Sequence, residues 1–186
     1  MKKTNIEIEF KTAIGEKTYY DMLQLFDLES NVFKQTNYYF DTDNFDLNKQ
    51  NIVLRIRQKG NNHFKVTSKK QTRESGNEAF ESHVLLQKNE VQDMIENGFN
   101  TTKYFDDIDY FVTFKASLDN YRVSTYFEEG LLFFDKSVYH GITDYEIEYE
   151  HNDEVIGKKI FDNFLKEHNI TFTAARRKSE RALKIK

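Results

Sequence analysis

The chain has 186 residues, the length of one ordinary domain, with 27 Lys+Arg against 31 Asp+Glu and a net charge of -4, which argues against nucleic-acid binding driven by excess positive charge. It contains 17 Phe and 11 Tyr, ample material for a core, so disorder of the whole chain is excluded. With no cysteine there is no disulfide, thiolate nucleophile, iron-sulfur cluster or Cys-bound zinc.

Period-two alternation begins at once. Ile6, Ile8 and Phe10 share one face of a strand whose other face carries Glu7, Glu9 and Lys11. Lys17 to Glu29 follows with apolar residues at helical spacing. Further strands are expected over Asn37 to Thr42, Ile52 to Gln58, His63 to Lys70 and Glu78 to Leu86, then a helix over Lys88 to Gly98 ending on a glycine cap. Four more strands complete the set: Phe111 to Leu118, Asn120 to Phe127, Leu131 to Tyr139 and Thr143 to Glu150. Asp153 opens a third helix and Thr173 a basic fourth one. No proline and no linker composition breaks the chain, so residues 1–186 are read as a single domain. Glu7, Glu9 and Lys11 interrupt any apolar leader, and no apolar run is long enough to span a bilayer, so a cytoplasmic protein without membrane partners is expected. Many antiparallel strands with few crossover helices predict an α+β protein built on a β-barrel with helices packed on its outside.

The polar strand faces are segregated by sign. One offers Arg55 and Arg57, the next Lys65, Thr67 and Lys69; the last offers Asp144, Glu146, Glu148 and Glu150. A single such face is ordinarily solvated. Several in one small chain suggest a metal on the carboxylates and a polyanion on the cations, because like charges two apart on a strand repel unless a counter-charge lies between them. The five histidines show no metal-ligand spacing and read as surface or turn residues.

The ordered motifs resemble the CYTH domain, the triphosphate tunnel metalloenzyme superfamily. Glu7-Ile8-Glu9-Phe10-Lys11 matches its ExExK signature, Tyr39-Phe40-Asp41-Thr42 its YFDT segment, Leu54-Arg55-Ile56-Arg57 its LRIR strand and Val66-Thr67-Ser68-Lys69 its LTLK strand. Tyr121-Arg122, Phe134-Asp135-Lys136, Asp144 to Glu148 and Arg177-Lys178-Ser179 follow in family order. The chain looks most like the small single-domain members of low-GC Gram-positive bacteria. The chain departs from the pattern in continuing with Lys70-Gln71 where a proline is common, and with Asn77 where an arginine opens the acidic strand.

The resemblance implies an eight-stranded antiparallel barrel, the triphosphate tunnel, and Mg²⁺- or Mn²⁺-dependent hydrolysis of a triphosphate, with inorganic triphosphate ahead of thiamine and nucleoside triphosphates. By motif, Glu7, Glu9, Glu146, Glu148 and Asp135 are metal candidates. Lys11, Arg55, Arg57, Lys69, Arg122 and Lys178 are phosphate-binding candidates, joined by Lys65, which fills no motif position but shares the parity of Lys69; Glu81, Lys69 and Tyr39 are catalytic candidates. Parity favours Glu81 over Glu78 as the carboxylate sharing the cationic face. The other readings are a non-catalytic polyphosphate- or nucleotide-binding module and an adenylate cyclase. The oligomeric state is open between monomer and homodimer.

Overall fold

Alternation becomes antiparallel strand throughout the computed structural model, which describes residues 3–71 and 77–184. In chain order the elements are β1 (Lys3–Ile14), α1 (Glu16–Leu25), β2 (Phe33–Asp41), α2 (Asp46–Lys49), β3 (Ile52–Lys59), β4 (His63–Gln71) and β5 (Glu78–Leu86). These are followed by α3 (Lys88–Asn97), β6 (Phe99–Asn100), β7 (Phe111–Phe127), β8 (Gly130–Tyr139), β9 (Ile142–Glu150), α4 (Glu154–Glu167) and α5 (Lys178–Leu183). The strand order is β2-β3-β4-β5-β1-β9-β8-β7-β6, and β2 also pairs with β7. Eight strands thus close into an antiparallel barrel, as expected, with β6 a ninth strand outside it.

Two compact units can be distinguished. One comprises Gln35–Leu118 with short pieces from both termini; the other comprises Glu7–Lys34 and Asp119–Arg177. In the first, the apolar faces of β2, β3 and β4 contribute Phe40, Leu54, Ile56 and Val66 to a core that includes Val91 and Met94 of α3. Burying each such side chain contributes roughly 1.5–3 kcal/mol. Helix α3 starts with a capping box between Gln87 and Glu90 and stops at Gly98, whose φ of 76° and close approach to the Val112 carbonyl exclude a side chain. In the second unit, Phe10, Phe134, Ile147 and Tyr149 pack with Tyr19 and Leu23 of α1 and with Phe161 and Phe164 of α4. The Asp153 carboxylate caps α4 by accepting the Ile156 N–H at 2.8 Å.

Several elements differ from expectation. β7 is one continuous strand of 17 residues where two were predicted, and the predicted break at residue 119 is where the strand passes from one unit to the other. Helix α1 ends at Leu25 and not Glu29, because Asp27 takes a left-handed φ of 54°. The C-terminal helix starts at Lys178 and not Thr173: the Thr173 backbone is bound to β1, its N–H donating to Thr12 Oγ1 at 2.8 Å and its carbonyl accepting from Ala13 N–H at 2.9 Å. The unanticipated α2 is tied down by Asp41, whose carboxylate accepts the Leu47 and Asn48 N–H groups. No helix among the described residues is long and apolar enough to cross a membrane.

Candidate functional site

Both faces of several strands are buried, one apolar and one polar, and the polar faces carry the candidate residues. In the first unit the register sets Asn37 opposite Arg57 and Tyr39 opposite Arg55 across β2 and β3. It continues with Arg57 opposite Lys65 and Arg55 opposite Thr67 across β3 and β4, then Lys69 opposite Glu81 across β4 and β5. Residues paired in register point to one side of a sheet. Arg55, Arg57, Lys65, Lys69, Tyr39 and Glu81 therefore share one face. Glu78, of opposite parity, does not.

Glu81 is 6% exposed and lies among these four cations. Arg55 Nη2 lies 3.4 Å from one of its oxygens and Lys65 Nζ 3.5 Å from the other. Burial works to raise its pKa, but Arg55, Lys65, Arg57 and Lys69 outweigh burial and hold the carboxyl below its ordinary range. Lys65 moves down: burial disfavours its charge, Glu81 opposes the shift, and Arg57 and Arg55 add to it. The Tyr39 hydroxyl is buried and makes no hydrogen bond.

In the second unit the signs are reversed. The register aligns Lys11 with Glu148 and Ala13 with Glu146 across β1 and β9, Glu146 with Asp135 across β9 and β8, and Asp135 with Arg122 across β8 and β7. Carboxylate oxygens of Asp135, Glu146 and Glu148, all buried, lie within 4.8 Å of one another. Arg122 is their counter-ion. Its Nε and Nη2 donate to the two oxygens of Asp135 at 2.7 and 2.6 Å, and Nη2 also donates to Glu148. Burial works against the guanidinium charge, but Asp135 and Glu148 more than offset it. Arg122, a phosphate-binding candidate by motif, is thus engaged with carboxylates. Glu9 sits further along β1, opposite Glu150, and accepts from Lys11 Nζ at 3.1 Å. Glu7 is half-buried with the same parity, and Lys178 is half-buried at the start of α5.

Asn120 and Ser137 escaped the sequence reading, and Glu150 was read as part of an acidic strand face but not as a site residue. Asn120 Nδ2 donates to Asp135 at 3.1 Å and is wholly buried. Ser137 donates onward to Asn120 Oδ1 at 3.5 Å. Glu150 is pushed up to about 7 by burial and by the charges of Glu7 and Glu9. Parity with Arg122, Asp135 and Glu148 was the available signal for each.

The acidic set fits a hard divalent cation. Its donors are carboxylate oxygens, which suit Mg²⁺ or Mn²⁺, and its carboxylates outnumber Arg122 and Lys11. Asp135, Glu146 and Glu148 could each offer an oxygen to one ion, and Asp135 and Glu148 also accept from Arg122.

The chain is thus an antiparallel barrel whose strands carry a half-buried cationic face and a buried acidic face. The chain matches the family model of the CYTH domain over residues 5–183 and belongs to that family. It is 32% identical over 178 residues, 89% of this chain and 87% of the other, to the protein named "Putative triphosphatase YjbK" of Bacillus subtilis (strain 168). A crystal structure described as a putative adenylate cyclase from Bacillus halodurans superposes with a TM-score of 0.84 at 30% identity, covering 96% of this chain and 97% of that one. The same fold occurs in an adenylyl cyclase homologue from Hippeastrum described as having a dominant triphosphatase activity. Its TM-score is 0.73 at 20% identity, over 99% of this chain and 95% of that one.

Proposed function

We propose that the protein is a metal-dependent triphosphatase, with inorganic triphosphate as its foremost substrate and thiamine or nucleoside triphosphates as the others. The observation that carries this reading is the cationic face of β3 and β4, four positive side chains in two strands, in a chain similar to a protein named as a triphosphatase. Arg55 and Arg57 suit phosphate because a guanidinium fork binds two oxygens at once, while Lys65 and Lys69 act as point charges. Lys11, Arg122 and Lys178 are assigned to phosphate binding by motif, with Arg122 also ordering the carboxylates.

Glu146 and Glu148 would hold Mg²⁺ or Mn²⁺, with Glu7, Glu9 and Asp135 completing the acidic set. Bound there, the ion would neutralise phosphate charge and lower the pKa of a coordinated water. Phosphoryl transfer asks the protein mainly for positioning and for stabilisation of spreading negative charge, so no protein nucleophile is needed. Glu81 is proposed to orient the attacking water. A carboxylate held ionised by four cations is a weak base, so its contribution is orientation rather than proton storage. Lys69 and Tyr39 stand beside Glu81 and Arg55 in register and are proposed to contact the transferred phosphoryl group.

The domain is proposed to act as a single cytoplasmic unit, as monomer or homodimer, without nucleic-acid or membrane partners. The test is phosphate release from inorganic triphosphate, thiamine triphosphate, ATP and GTP with Mg²⁺ and with Mn²⁺, beside the Glu7→Gln/Glu9→Gln double variant. Metal-dependent release lost in the variant supports the proposal; undiminished release in the variant overturns the metal assignment. The similarity to a protein named as a cyclase favours a second reading, read out in the ATP arm as cyclic AMP in place of phosphate.

A further inference from the structure

We infer that Asn37 is a positioning residue, holding the Arg57 guanidinium on the cationic face by a neutral acceptor. The inference rests on the proposed role of that face in binding phosphate. On β2, Gln35, Asn37 and Tyr39 share the parity of the cations, and Asn37 stands opposite Arg57, which in turn stands opposite Lys65. Arg57 Nε–H donates to Asn37 Oδ1 at 2.9 Å, and Asn37 has no exposed surface. Arginine has no acceptor, so the amide orientation is fixed: Oδ1 must face Arg57, and Nδ2 must point elsewhere.

Two features separate this arrangement from ordinary packing. First, the acceptor is an amide in a place where electrostatics alone would favour a carboxylate, since Arg57 has Lys65 beside it and Arg55 on its own strand. An amide fixes the guanidinium plane without adding a second negative charge to the one Glu81 supplies, and so preserves the positive field of the face. Second, Asn37 Nδ2, Tyr39 Oη and Thr67 Oγ1 are all buried on this face and make no hydrogen bond. Each can donate. Buried donors without acceptors are costly in a finished protein interior, and their accumulation among cations suits an acceptor-rich oxyanion. Asn37 thereby sets the direction of Arg57 relative to the phosphate oxygens, and Arg57 makes the contact.

The experiment measures binding of inorganic triphosphate by calorimetry without divalent metal and at fixed ionic strength, together with the ligand-free melting temperature. Asn37→Asp keeps the size and the acceptor but adds a charge. It is expected to raise the melting temperature by pairing with Arg57 while weakening triphosphate binding at least tenfold, two opposite signs that a packing role does not produce. Asn37→Ala is expected to weaken binding several-fold in the wild type and less than twofold in an Arg57→Lys background, where the Nε–H is gone. Wild-type affinity in Asn37→Asp, or an equal loss for Asn37→Ala in both backgrounds, overturns the inference; the first readout decides even if Asn37→Ala does not fold. A wild type that binds triphosphate but releases no phosphate removes the hydrolase reading and leaves this one standing. A wild type that binds none removes both.

Discussion

The cationic face of β2 to β5 and the acidic face of β1 and β7 to β9 are built by the same rule with opposite signs. Each crowds like charges on alternating strand positions, and each has a residue of the opposite sign that bridges two of its neighbours. Glu81 bridges Arg55 and Lys65 in the first; Arg122 bridges Asp135 and Glu148 in the second. The difference lies in solvation. Arg55 and Lys65 retain 14% and 20% side-chain exposure, whereas Asp135 and Glu148 retain 0% and 5%. Water can share the work of Glu81 but hardly that of Arg122, so Asp135 and Glu148 depend more on their counter-ion.

Removing that counter-ion gives the largest expected effect. Arg122→Leu strands a carboxylate with no exposed surface and should cost about 3–5 kcal/mol of stability, the usual range for breaking a buried pair. Urea denaturation measures it, and added Mg²⁺ should restore part of the loss. A loss no larger than that of a surface substitution would erase the distinction drawn between the faces.

The next effect concerns Glu150 in the metal-free protein. A carboxyl carried from its ordinary 4.5 to about 7 by burial, Glu7 and Glu9 costs about 3 kcal/mol to ionise within the fold. The folded pKa lies above the unfolded one. This group's contribution to stability is therefore present below about pH 4.5 and lost as pH rises through 7. Glu150→Gln should match the wild type near pH 4 and become progressively more stable than it between pH 5 and 8. Divalent metal should shrink that gap. A gap independent of pH would show that the acidic face is not electrostatically overloaded.

Comparable in size is the response to ligands, which separates the faces chemically. At a hundred times its dissociation constant a ligand stabilises by about 2.7 kcal/mol. Mg²⁺ alone should raise the melting temperature of the wild type but not of Glu146→Gln/Glu148→Gln. Triphosphate alone should raise that of both and should not raise that of Arg55→Ala/Arg57→Ala. The same dependence on the same variants for both ligands would mean that the faces do not divide the work.

Charge and parity were legible in the sequence because a run such as Arg55-Ile56-Arg57 shows both the alternation and the sign. The closed barrel followed from the number of such runs and the near absence of crossover helices. Neutral polar residues gave no comparable signal: Asn37 and Asn120 alternate like any strand residue, and only the register shows that one faces Arg57 and the other Asp135. Arg122 was legible as a charged residue but not as a counter-ion, since its partners lie 13 and 26 positions away. The start of the last helix was hidden for a related reason. Thr173 pairs with Thr12, 161 residues earlier, and its backbone is hydrogen-bonded to that distant strand. Helix α2 and strand β6, at four and two residues, are too short to display a period.

Glu81→Gln is expected to give the smallest loss of stability and the most informative change of sign. The cations it leaves are partly hydrated, so the cost should be about 1–2 kcal/mol, below that of Arg122→Leu. The net positive charge of the face rises by one, so metal-free triphosphate binding should tighten, with a steeper dependence on salt. Turnover should nevertheless fall if Glu81 orients the attacking water. Tighter binding with slower release of phosphate would assign Glu81 both as counter-ion and as part of the catalytic machinery. Tighter binding with unchanged turnover would leave it the first role alone and make Glu81 and Arg122 alike in function.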